Sequence, residues 1–189
     1  MKRIVIFASG SGTNAENLSH FFQQSDIAVI THILTNNKDA KVLERSERLG
    51  ISSLVFGKSD FLDEEKILKF LKKEADYIIL AGFLWRIPAH MVAAFPDRII
   101  NIHPALLPKY GGKGMYGMNV HQAVINNKEQ ETGITIHYVN ENYDEGAIIF
   151  QAKTNVSPND TAQDVAKNIH KLEYEYFPKV IESIIKLNG

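Results

Sequence analysis

Asn101-Ile102-His103-Pro104 places an amide and an imidazole two residues apart at the end of an apolar run. Side chains alternate faces along a strand, so an i, i+2 pair points to one side. Asparagine brings a neutral N–H donor and histidine a titratable one. Such a pair suits a carbonyl oxygen on which negative charge develops. A second cluster, Ser9-Gly10-Ser11-Gly12-Thr13-Asn14, follows the first apolar run and opens an amphipathic stretch. Its glycines permit a sharp turn, and the free amides of a helix start are anion donors. Gly10, Gly12 and Ala15 also fit a relaxed dinucleotide fingerprint, which wants an acidic residue about 20 positions on. The second apolar run instead ends Leu34-Thr35-Asn36-Asn37, with no carboxylate before Asp39. A phosphate monoester fits better than a dinucleotide; a plain strand–helix turn is the alternative.

These residues need elements to hold them. Ile4–Ala8, Ile27–Leu34, Ile51–Phe56, Tyr77–Ala81 and Ile99–Ile102 are short apolar runs, the pattern of strands buried on both faces of a parallel sheet. Between them, Leu18, Phe21 and Phe22 share a helical face, as do Val42, Leu43, Ser46 and Leu49. Ile67, Leu68 and Leu71 form a third face, with Ser59 or Asp60 expected to cap it. Strand–helix alternation reads as a doubly wound α/β sheet. Residues 103–118 carry Pro104, Pro108 and four of the twelve glycines, a long loop of the kind that is usually functional. Two more strands are expected at Gly133–Val139, with antiparallel alternation, and Ala147–Val156. Asp160 or Thr161 should open a terminal helix through Val165, Ile169 and Leu172, kinked or broken at Pro178.

The chain of 189 residues suits one domain. With 44% hydrophobic and 23% charged residues it is a globular composition, excluding disorder and rod-like folds. A net charge of −1 gives no footprint for nucleic acid or an anionic membrane. The absence of cysteine excludes disulfides and thiolate chemistry. The N-terminal apolar run is too short for a signal-peptide core or a membrane span, so a cytoplasmic protein is expected.

Asn101 to Pro108 resembles the signature of the folate-dependent formyltransferases, asparagine–x–histidine–proline–serine–leucine–leucine–proline, with Ala105 in the serine's place. The resemblance runs from Lys2 to about Ile185. It includes Ala81-Gly82-Phe83, Thr132-Gly133, His137, and Asp144-Glu145-Gly146 followed by Ala147 to Gln151. It implies a single Rossmann-like formyltransferase domain over residues 1–189. Residues 1–100 would form a phosphate-binding half and 101–189 a catalytic and folate-binding half. The sheet would be mostly parallel, with an antiparallel strand toward the C-terminal part.

Within that family, the loop Ser9–Asn14 resembles the phosphate loop of the members acting on glycinamide ribonucleotide. The implied reaction moves the formyl group of the cosubstrate 10-formyltetrahydrofolate to the ribonucleotide's amine in purine synthesis. No metal, nucleic acid or membrane is implied, and the chain would be a monomer or homodimer. Asn101, His103 and Asp144 match the catalytic trio. Asn101 and a protonated His103 would bind the formyl oxygen, and Asp144 would favour the charged ring. Thr135 and His137 match supporting positions.

The resemblance assigns the ribonucleotide to Gly12, Thr13 and Asn14, with His170 and Glu173 as exposed-type helical contacts. It assigns the pterin to Leu84-Trp85-Arg86-Ile87, where relatives often carry methionine–arginine at the first two positions. Asn140, Glu141, Asn142, Tyr143 and Asp144 match the loop closing over the folate, and Lys58 would face its glutamate tail. Gly111 to Met118 is longer than the family's common form and is expected to be a surface excursion, with a flexible lid or a phosphate contact through Lys113 as the alternatives. The alternatives are three. Methionyl-tRNA formyltransferase is expected to add a basic C-terminal domain, and formyltetrahydrofolate deformylase an N-terminal regulatory one. The third is a Rossmann-like nucleotide-binding module without catalysis.

Overall fold

The apolar runs form a seven-stranded sheet: β1 (Lys2–Phe7), β2 (Ala28–Thr35), β3 (Ser52–Val55), β4 (Tyr77–Leu80), β5 (Ile99–His103), β6 (Glu131–Tyr138) and β7 (Ile148–Asn155). The computed structural model describes residues 1–188; the expected domain limit at Gly189 lies outside them. The strand order is β3-β2-β1-β4-β5-β6-β7. Neighbours from β3 to β5 pair in parallel, and β6 pairs antiparallel with both β5 and β7. Thus β6 is the one reversed strand, as its alternation predicted.

Continuous apolar runs are needed because both faces of the sheet are covered. Ile4 and Ile6 pack with Leu18, Phe22, Ile169 and Phe177 on one face. Val5 and Phe7 pack with Phe61, Ile67, Leu71 and Met91 on the other. The helices are α1 (Thr13–Phe22), α2 (Val42–Leu49), α3 (Lys58–Leu62), α4 (Lys69–Glu74), α5 (Ala89–Ala94), α6 (Met118–Asn126) and α7 (Ala162–Leu187), with a π-helical turn, Glu64–Leu68, leading into α4. No helix among the described residues is long and apolar enough to cross a membrane.

Four local expectations are corrected. Ser59 and Asp60 lie inside α3, and Asp63 caps the next turn by accepting from the Glu65 N–H at 2.9 Å. Phe21 sits at the margin of its face, partly exposed and edge-on to Phe22. The short helices α5 and α6 have no predicted counterpart. Finally, α7 opens at Thr161 as expected, but runs unbroken through Pro178 for 26 residues. Proline removes the N–H that would bond Tyr174's carbonyl four residues back. Asn17 of α1 supplies that donor instead, its Nδ2 lying 3.1 Å from the Tyr174 oxygen. The loss is repaired by a neighbouring helix.

Candidate active site

The strand order reverses between β1 and β4, where open α/β sheets bind ligands at the carboxyl ends of their strands. Ser9 ties three strand ends together there. Its N–H donates to the Gly82 carbonyl at 3.0 Å, and its hydroxyl donates to Asn36 Oδ1 at 2.7 Å. The same hydroxyl accepts the Leu84 N–H at 3.0 Å. Gly12 follows at φ 73°, in the left-handed region. A Cβ there would also lie 2.3 Å from Val42 Cγ2, so only glycine fits. α1 starts at Thr13 with no side-chain cap, which leaves its first amides open. They face a cavity of about 590 Å³.

Asn101, His103 and Asp144 line the same cavity and converge. His103 Nδ1 lies 3.5 Å from Asp144 Oδ2, and Asn101 Nδ2 lies 3.5 Å from Asp144 Oδ1. The far nitrogen of His103, Nε2, sits 2.7 Å from the Tyr110 carbonyl. A carbonyl only accepts, so Nε2 carries the hydrogen, and in the neutral ring Nδ1 is a free lone pair. The same logic applies to His137. Its Nδ1 donates to the Tyr138 carbonyl at 2.8 Å, leaving Nε2 to accept from Asn101 Nδ2 at 3.0 Å. One Asn101 N–H is thereby held, and the other makes the long 3.5 Å contact with Asp144 Oδ1.

Asp144 is fixed from two sides. Gly112 N–H donates to its Oδ2 at 2.9 Å. Gly146 brings the loop so close to β6 that a Cβ would lie 1.6 Å from the Tyr138 oxygen. Burial alone would raise the Asp144 carboxyl. Its polar surroundings, the Gly112 N–H among them, outweigh burial and hold it below the ordinary carboxylate range, so it is ionised. Burial wins at His103, pushing its imidazole down against the pull of Asp144. The expected protonated His103 is therefore corrected: desolvation keeps the resting ring neutral at neutral pH.

At the phosphate-loop end, Asn14 Nδ2 donates to Glu173 Oε2 at 3.0 Å. Glu173 is buried, not on the solvated face expected for it, and burial raises its carboxyl to about 7 despite Asn14. The folded state thus holds a proton that the unfolded chain releases near pH 4.5. Stability is fully present below that value and is lost as pH rises through about 7. Glu173→Gln keeps an acceptor for Asn14 and removes this loss. It should be stabilised over the parent by roughly 3 kcal/mol at about pH 8 and little at about pH 4. Thermal denaturation at both pH values checks this; equal melting shifts at both would contradict it.

The cavity gathers Gly12, Thr13, Asn14, Leu84, Asn101, His103, Tyr143, Asp144, His170 and Glu173 of the expected residues. Others stand outside it. Thr135 is buried and holds the segment after His103, donating to the Ala105 carbonyl at 2.7 Å and accepting the Leu107 N–H at 3.0 Å. Trp85 joins an aromatic cluster with Phe56, Phe61 and Phe83, and the Ile87 side chain is in the core. Arg86 and Lys58 are exposed, as are Glu141 and Asn142; Asn140 accepts the Asn142 N–H in a tight turn. The expected surface excursion is corrected as well: Gly112 to Gly117 lines the cavity. Length and glycine density had marked the loop in the sequence; His121 is the part sequence reasoning missed.

A neutral amide, a neutral imidazole and an ionised carboxylate grouped at the open edge of a doubly wound sheet make a site for acting on a carbonyl beside an anion cradle. The chain belongs to the formyl transferase family, whose model matches residues 2–181. It is 39% identical to the chloroplastic phosphoribosylglycinamide formyltransferase of Arabidopsis thaliana over 97% of this chain, and spans 65% of that relative's length. It is 34% identical to the phosphoribosylglycinamide formyltransferase of Bacillus subtilis, covering 100% of this chain and 97% of the relative. The solved glycinamide ribonucleotide transformylase 1 of Geobacillus kaustophilus superposes with a TM-score of 0.88 at 33% identity, covering 98% of this chain and 99% of that one.

Proposed function

We propose that the chain transfers the formyl group of 10-formyltetrahydrofolate to the amine of glycinamide ribonucleotide, a step of purine biosynthesis. The observation that carries this reading is the convergence of His103 Nδ1 and Asn101 Nδ2 on the two oxygens of Asp144, each at 3.5 Å, in one cavity with Gly12, Thr13 and Asn14. The names of the relatives above support the choice of substrates. Gly12, Thr13 and Asn14 receive the phosphate, and Glu173 and His170 lie on the ribose side. Leu84 and Tyr143, large and partly exposed at the cleft, offer the apolar surface a bicyclic ring needs. The proposed setting is the cytoplasm, and the proposed partners are these two small molecules.

The chemistry follows from the tautomers. Asn101 turns the N–H that makes only a long contact with Asp144 to the formyl oxygen as charge builds there. His103 Nδ1 takes a proton from the attacking amine, directly or through water, and returns it to the departing folate nitrogen. Asp144 stabilises the imidazolium formed in between. His137 and Thr135 act one step away, the first aiming Asn101 and the second anchoring the loop that follows His103. The test is a spectrophotometric assay for folate product with and without the ribonucleotide. Product that requires the ribonucleotide is expected. Product formed without it would favour the deformylase, and ribonucleotide binding without product the non-catalytic module.

A further inference from the structure

His121, on α6, lines the cavity although nothing above uses it. It is only 3% exposed, and its Nδ1 is buried without a hydrogen-bond partner. Buried polar atoms are almost always paired, so an orphan on a side chain that lines a cavity points to a partner that arrives with a ligand. The groups bearing on this ring are His170, on the ribose side, and His103, at the reacting end. Burial first, and then these two neighbours, push it down to about 4, so the ring is neutral throughout the working range. A neutral imidazole offers one donor and one acceptor. Between a ribose and a primary amine, glycinamide ribonucleotide has a secondary amide, whose N–H or C=O one ring nitrogen can pair.

We propose that His121 is a positioning residue that hydrogen-bonds the amide arm of the bound ribonucleotide and so sets the amine against the formyl carbon. This rests on the formyl-transfer reading above. It also explains why a ring with an unpartnered buried nitrogen stands at this position.

Two variants test it in the full chain. His121→Leu fills the space without polar atoms, and His121→Gln restores a donor and an acceptor. The leucine variant should raise the KM for the ribonucleotide about tenfold, the scale of one neutral hydrogen bond, and leave the folate KM within about twofold. Its melting temperature should stay level or rise, because an unpartnered polar ring has gone. Glutamine should recover most of the KM. Adding glycinamide ribonucleotide to the parent protein should shift the His121 ring resonances in a nitrogen-detected NMR spectrum. The proposal is overturned by a leucine variant with unchanged ribonucleotide KM, by glutamine failing where leucine succeeds, or by ring resonances that do not move. If the parent protein makes no folate product, the formyl-transfer reading fails first. If it turns over and His121→Leu is silent, this inference alone fails.

Discussion

His103→Ala is expected to lower kcat by about a hundredfold to a thousandfold, the usual scale for losing a positioned proton carrier, with the ribonucleotide Kd changed by less than about twofold. The separation follows from the layout. His103 lines the cavity with Nδ1 beside Asp144, whereas the proposed phosphate cradle, Gly12, Thr13 and Asn14, lies at another strand end. The variant also strands the Tyr110 carbonyl that now takes the Nε2 hydrogen, and loosens the loop after it. Melting temperature and ribonucleotide titration should therefore be measured alongside turnover. Unchanged turnover in a folded variant would end the catalytic assignment. Loss of ribonucleotide binding with kcat retained would place the ring in the binding site instead.

The central strands β1, β4 and β5 were legible because they are buried on both faces, so their residues need only be apolar and β-prone. The pairing of Asn101 with His103 was legible because a two-residue spacing fixes which side both face. What lay hidden was set by partners distant in sequence. Pro178 reads as a breaker until Asn17, on α1, is seen to bond the carbonyl that proline leaves open. Glu173 reads as a solvated helix residue until α1 is packed over it and Asn14 becomes its partner. Gly112 to Gly117 carries few apolar residues and so reads as surface. Yet it lines the cleft, and Gly112 donates to Asp144.

Charge states were the least visible layer. Nothing in the order of residues tells that His103 rests neutral, since that depends on how completely the 110–117 loop and β6 exclude water from it. The correction changes the chemistry. A histidine protonated at rest can only donate, whereas a neutral one with a free Nδ1 can collect the amine's proton first. This removes the need for a second base.

Asp144→Asn separates these two roles. Asparagine tolerates the positive φ of 56° at this position and keeps an acceptor for the Gly112 N–H, so the loop should stay in place. What goes is the charge that pulls the His103 imidazole up against burial. The ring then becomes a weaker base and its protonated form loses its partner. kcat should fall on the order of a thousandfold, as expected when an imidazolium forms in the reaction without its carboxylate. The pH profile carries the finer test. In the parent protein kcat/KM should rise with pH along an acid limb below about 6.5, the ordinary histidine value, because only neutral His103 can accept the proton. In the variant that limb should move to still lower pH. A limb that moves upward would mean that Asp144 does not stabilise the charged ring. A limb that vanishes would assign the titrating proton to Asp144 itself and make His103 only a donor.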